Sequence, residues 1–315
     1  MSELCINDVS LRDGIQSEPG FLDFPTRLRI VEALVAAGVR HLQVASFVNP
    51  LRVPQMRDIE SFVAELPQDE SVVYSGLLLN LKGLDRLKQT QLKQVDISLS
   101  CSDAHSRKNV GMGLIEAKAQ VMAMIAQAKQ AKLSVRVGLQ CAFGCPYQGA
   151  VPLAGVAALG RELSLAGCDV IALADSTGEA LPTSIILAIE TFQDLTDCRL
   201  VLHLHDTYGL GMANFIAAYN AGVRSFDAAL GGVGGCPFIP GAAGNLAIED
   251  VLQFLHRMGV PTAISLAKII QATDILEAAL DYPLPGKVYR TLRPSTTSWR
   301  KRELNFGADC RSKNS

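Results

Sequence analysis

The sequence predicts a (β/α)8 TIM barrel carrying an extra C-terminal helix and a tail. A recurrent unit points to it: Leu34 to Ala45, Leu163 to Leu173 and Ala218 to Ala228 each read as an Ala/Leu-rich amphipathic run, a glycine, and a short apolar strand. Glycine fits the left-handed position that closes a helix, so it stands between helix and strand. Eight such alternations occur without reversal, which favours a closed barrel over an open sheet. The 315 residues, 49% of them apolar, can bury a parallel sheet on both faces in one core.

Taken in order, the strands are expected at 4–9, 41–45, 72–78, 94–99, 133–139, 169–173, 199–204 and 224–230. The clearest helices between them are 26–37, 114–131 and 246–258. The barrel is expected to span 1–282, including an appended helix at 265–281. Residues 283–315 form a basic tail with Lys287, Arg290, Arg293, Arg300, Lys301 and Arg302, expected to be solvated or to contact a second subunit.

Composition excludes several classes. A net charge of −2 with mixed signs leaves no electrostatic footprint for nucleic acid. No apolar stretch reaches membrane-spanning length, and the first eight residues lack a basic region followed by an apolar one. A soluble cytoplasmic protein is the expectation. Eight cysteines are too sparse for a disulfide scaffold and read as reduced thiols.

Chemistry concentrates where strands hand over to helices, the end of a barrel that carries catalytic groups. In Val201-Leu-His-Leu-His205 the two imidazoles share a face, because strand side chains alternate. Such a pair is half of a metal site. Arg12 and Asp13 leave the first strand, where Gly14 permits a sharp turn; alone they also fit a surface ion pair. The loop from Gly231 to Asn245 is glycine-rich and carries Cys236; it suits a flexible connector or a phosphate cradle. Asn245 is either the N-cap of the following helix or an oxygen ligand. Asp13, His203, His205 and Asn245 together suit a divalent ion such as Mg or Mn, with Zn, Co or Fe also possible. Asp175 ends the sixth strand at the same rim. Cys141 and Cys145 read as a structural turn, since no second Cys or His pair accompanies them.

The motifs Arg12-Asp-Gly-Ile-Gln16, Ser46-Phe-Val-Asn-Pro50 with Val53-Pro-Gln-Met56, Asn80-Leu-Lys-Gly83, Cys145-Pro-Tyr147, His203-Leu-His-Asp-Thr-Tyr-Gly209 and Gly234-Gly-Cys-Pro237 with Gly244-Asn245 resemble those of the 3-hydroxy-3-methylglutaryl-coenzyme A lyases. The likeness runs from about Asn7 to Leu280. It implies a divalent metal held by Asp13, His203, His205 and Asn245. It further implies Arg12 at the enolate oxygen, Cys236 as proton donor on a mobile lid, and acetyl-CoA and a keto acid as products. His203, doubling as ligand and proton shuttle, and Asp175 remain candidates for the base. Substrate contacts are expected from Arg12, Gln43, Ser46, Arg136 and Gly138. Lys82 and Asn109, with Arg107 and Lys108, are the groups available to coenzyme A. A homodimer follows only by analogy.

Departures from the family pattern are specific. Gln43 stands where the family usually has Glu, and an amide can neither take a proton nor carry charge. Gly138 replaces a usual Tyr, Ala172 a usual Ser and Pro19 a common Lys. A roomier, more apolar pocket is therefore expected, admitting another 3-hydroxyacyl thioester. Two further readings are an aldolase acting on a free oxo acid, and a barrel that binds metal and CoA with weakened turnover. Arg12 and Cys236 argue against the last, since neither is needed to hold a metal.

Overall fold

The computed structural model describes residues 4–234 and 244–293. Eight parallel strands close into a barrel in sequence order: β1 (Cys5–Asp8), β2 (His41–Ser46), β3 (Val73–Leu78), β4 (Gln94–Ser100), β5 (Ser134–Gln140), β6 (Val170–Asp175), β7 (Arg199–Leu204) and β8 (Ser225–Ala228). Every expected strand is present, with ends moved by at most one or two residues. The helices are α1 (Phe24–Ala37), α2 (Ile59–Ala64), α3 (Leu81–Leu87), α4 (Asp103–Val110), α5 (Leu114–Gln130), α6 (Leu153–Leu165), α7 (Pro182–Leu195), α8 (Gly211–Asn220), α9 (Ile248–Arg257), α10 (Leu266–Leu280) and α11 (Lys287–Leu292).

Local chemistry sets these boundaries. Asp23 caps α1 by accepting from Thr26 N at 2.7 Å, and Gly38 ends it at φ 103°. Asn80, Ser102 and Ser265 cap α3, α4 and α10 in the same way. On β4 the residues Val95, Ile97 and Leu99 are buried under helices, whereas Gln94, Asp96, Ser98 and Ser100 alternate with them and so face the barrel interior. That polar inner row is where the barrel departs from an apolar core.

Helix α9 starts at Ile248 with Ala247 at its N-cap, so Asn245 is not the cap. Residues 245–247 instead bridge β7 and β8: His205 pairs with Asn245 and Ala229 with Ala247. Helix α10 packs on α1. The first part of the segment read as a tail folds back as α11, burying Leu284 and Tyr289. Two of its basic groups are paired, Lys287 with Asp206 and Arg293 with Glu277, both at 2.7 Å. Arg300, Lys301 and Arg302 lie outside the described residues. No helix among the described residues is long and apolar enough to cross a membrane, and the described cysteines are free thiols.

Gly14 works by close approach rather than by its dihedral freedom. A Cβ there would sit 2.5 Å from Val233 Cγ1, and the Val233 carbonyl accepts from Asn245 Nδ2 at 3.0 Å. Gly14→Ala should therefore destabilise by about 1–3 kcal/mol in urea unfolding. It should also weaken Mn binding by calorimetry, because Val233 is pushed against Asn245.

Candidate active site

After β1 the chain makes a π-helical turn, Ser10–Gly14. The Val9 carbonyl accepts from the backbone N–H of Arg12, Asp13 and Gly14 at 3.2, 2.9 and 3.1 Å. Single π turns recur at functional sites, and this one sets Arg12 and Asp13 together on the rim. Arg12 donates through Nε to Gln43 Oε1 and through its terminal nitrogen to Asp13 Oδ1. His203 is the penultimate residue of β7 and His205 follows the strand, their Nε2 atoms 3.1 Å apart. Asp13 Oδ2 lies 3.8 Å from His203 Nε2 and 4.0 Å from His205 Nε2. Asn245 Nδ2 donates to the same oxygen at 3.1 Å. Among the described residues, Asp13, His203 and His205 are the one cluster of three or more His, Cys, Asp or Glu able to converge on a metal ion.

The donor set fits a divalent cation. Asn245 Oδ1 is buried with no hydrogen-bond partner, on the side chain whose Nδ2 reaches Asp13. Oxygen and nitrogen donors of this kind suit Mg, Mn and their neighbours. Burial pushes the Asp13 carboxyl up, but Arg12, the two histidines and Asn245 outweigh it and hold it well below the usual carboxylate range. His205 is pushed down to about 4, by burial first and then by His203. Its ring is thus neutral at pH 7 and keeps a lone pair to give.

The remaining expected residues divide. A cavity of about 580 Å³ opens at this rim, lined among others by Arg12, Asp13, Asn49, Arg52, Asn109 and His203. Gln43, Arg136 and Gly138 line a small extension of about 20 Å³ towards the barrel axis. Ser46 is fully buried and lines neither space; it packs where β2 runs against Leu77 of β3. Lys82 is exposed on the first turn of α3, and the helix cap Asn80 faces the cavity in its place. Asp175 lines neither space. Its two oxygens accept from Gly178 N at 3.0 Å and Ala180 N at 3.1 Å, so the carboxylate ties the turn after β6. Burial pushes it up to about 6 against those bonds. Ser176 faces the cavity instead. Cys236 lies outside the described residues. Cys145 closes a turn by pairing with Gly149, as expected.

At the pocket floor the space left by the small residues at 138 and 172 is partly filled and bordered by polar groups. Gln140 leans over Gly138, where an added Cβ would meet its amide nitrogen at 3.1 Å, and Asp96, Arg136 and Asp227 supply polar walls. Asp96 and Asp227 escaped the sequence reading. Asp227 Oδ2 accepts from His203 Nδ1 at 3.0 Å and from Arg136, and its Oδ1 accepts from Asn7 at 2.9 Å. Burial opposes its charge, but Arg136 and His203 hold its carboxyl well below the usual range. The signal was present in each case: a carboxylate at an inward strand position is costly unless paired.

Comparison with known proteins bears on the assignment. The HMGL-like family model matches residues 3–276. An (R)-citramalyl-CoA lyase of Chloroflexus aurantiacus is 38% identical over 299 residues, covering 91% of this chain and 94% of the relative. A hydroxymethylglutaryl-CoA lyase of Pseudomonas mevalonii is 34% identical, covering 89% and 93%. Among solved structures, the Bacillus subtilis HMG-CoA lyase superposes with a TM-score of 0.89 at 30% identity, covering 92% of this chain and 98% of that one. An Acinetobacter baumannii HMG-CoA lyase in complex with coenzyme A and 3-methylmalate gives 0.88 at 33%, covering 94% and 97%. With a family match over most of its length and a rim that gathers Asp13, His203, His205 and Asn245, the chain belongs to the HMGL-like family.

Proposed function

We propose that this protein is a divalent-metal-dependent carbon–carbon lyase that cleaves a 3-hydroxy-3-substituted acyl-CoA of the hydroxymethylglutaryl or citramalyl kind to acetyl-CoA and a keto acid. The observation that carries the reading is the convergence of four donors beside a fixed guanidinium at the mouth of a cavity of about 580 Å³. Asp13, His203, His205 and Asn245 would hold the cation, with Mg or Mn as the expected ions. When bound, such an ion lowers the pKa of an alcohol oxygen and polarises a neighbouring carbonyl.

The chain's own residues do the rest. Arg12 carries a permanent charge beside the place where an acyl-thioester enolate develops, so its stabilisation grows as the bond breaks. Asn49, Arg52, Asn80 and Asn109 line the outer cavity and supply the amide and cationic contacts that a coenzyme A chain requires. Family resemblance gives Cys236 the role of protonating the departing carbon. The reading includes a homodimer, checked by light scattering, and a cytoplasmic location.

The test is direct. Purified protein with Mg or Mn should release acetyl-CoA from 3-hydroxy-3-methylglutaryl-CoA, from citramalyl-CoA, or from a bulkier analogue. Chelation with EDTA should abolish the release, and either ion should restore it. Failure with all three thioesters, or turnover of a free 4-hydroxy-2-oxo acid instead, overturns the assignment.

A further inference from the structure

Inside the barrel, Gln43 is a relay between two charged groups. Its Oε1 accepts from Arg12 Nε and its Nε2 donates to Asp96 Oδ2. Ser75 Oγ donates to the same Asp96 oxygen at 2.6 Å, and Gln94 Nε2 to the other at 3.2 Å. Gln43, Ser75, Gln94 and Asp96 are all buried, Gln43 at 3% and Asp96 at 2% exposure. A register shift between β2 and β3 falls immediately after Gln43, and such bulges re-aim side chains. An arginine only donates, so the Gln43 amide has one workable orientation, with its oxygen to Arg12 and its nitrogen to Asp96.

We propose that Asp96 is a positioning residue for the reaction, holding the Gln43 amide in the one orientation that seats the Arg12 guanidinium. The carboxylate of this inner row thus stands on β4, and position 43 is an amide because of it. Asp96 pairs in register with Arg136 of β5, yet Arg136 gives its hydrogen bond to Asp227. Asp96 therefore adds its charge to the surroundings of Arg136 but takes no hydrogen bond from it, and gives its oxygens to Gln43, Ser75 and Gln94. The proposal rests on the role assigned above to Arg12.

A double-substitution cycle on the full chain, assayed with the thioester the wild type turns over, tests it. Asp96→Asn lets the amide at 43 turn, and kcat should fall about 10- to 100-fold with KM moved far less. Gln43→Glu sets carboxylate against carboxylate at hydrogen-bond range, where both cannot ionise, and should cost a similar factor. The double variant Gln43→Glu/Asp96→Asn returns one carboxylate and one amide to the pair. Its kcat should recover to within about fivefold of wild type rather than show the product of the two losses. Multiplicative losses in the double variant overturn the proposal. So does a single variant whose thermal midpoint falls while kcat holds, since that marks a structural role alone. Arg12→Gln run alongside separates the two levels: if it keeps full activity, the assignment of Arg12 fails, whatever the 43–96 cycle shows.

Discussion

Replacing Arg12 by Gln should lower kcat by about 100- to 1,000-fold, with a much smaller change in KM. The guanidinium is fixed from two sides, by Asp13 Oδ1 and by Gln43 Oε1, and its side chain is only 12% exposed. A group held in place before the reaction costs no reorganisation when charge appears on the enolate oxygen, which is why the loss falls on kcat. Arg12→Lys should rescue little, because a single ammonium cannot keep both contacts. Arg12 also helps to hold Asp13 ionised. The comparison therefore belongs near pH 8, where Asp13 is ionised even at an ordinary carboxylate pKa, with Mn affinity measured in parallel. A kcat within threefold of wild type and unchanged Mn affinity would remove Arg12 from the mechanism.

The barrel was legible because its signals are local. Gly38 and Gly222 stand at helix ends with φ of 103° and 98°, and eight apolar strands recur at βα spacing. The metal cluster was legible because strand alternation puts His203 and His205 on one face, and because Asp13 and Asn245 sit at rim positions. What escaped was how side chains share partners across the barrel axis. Asp175 carries the expected residue type at a rim position, yet its oxygens are taken by the turn at Gly178 and Ala180. Small residues at 138 and 172 suggested space, but Gln140 from the same strand fills part of it. Gln43 looked like a lost carboxylate; only the fold shows Asp96 of β4 beside it. Each of these features concerns how neighbouring side chains divide their hydrogen bonds and space, a relation that periodicity does not encode.

Asp227→Asn should weaken Mn binding or turnover by about 10- to 100-fold, although Asp227 stands behind His203 and is not among the residues that converge on the cation site. Its Oδ2 accepts from His203 Nδ1, which keeps the proton on Nδ1 and leaves the Nε2 lone pair facing Asp13 and His205. An asparagine can present its NH2 to Nδ1 instead, moving the ring proton to Nε2 and cancelling that donor. The loss should show by calorimetry with Mn and should be partly offset by raising the metal concentration, whereas a damaged acyl-CoA pocket would raise KM for the thioester. Asp227 also balances Arg136, so charge balance must be separated from tautomer control. Arg136→Met leaves the contact between Asp227 and His203 in place, and Mn affinity should then stay within about threefold of wild type. Equal losses in the two variants would mean that the buried ion pair, and not the tautomer of His203, is what Asp227 maintains.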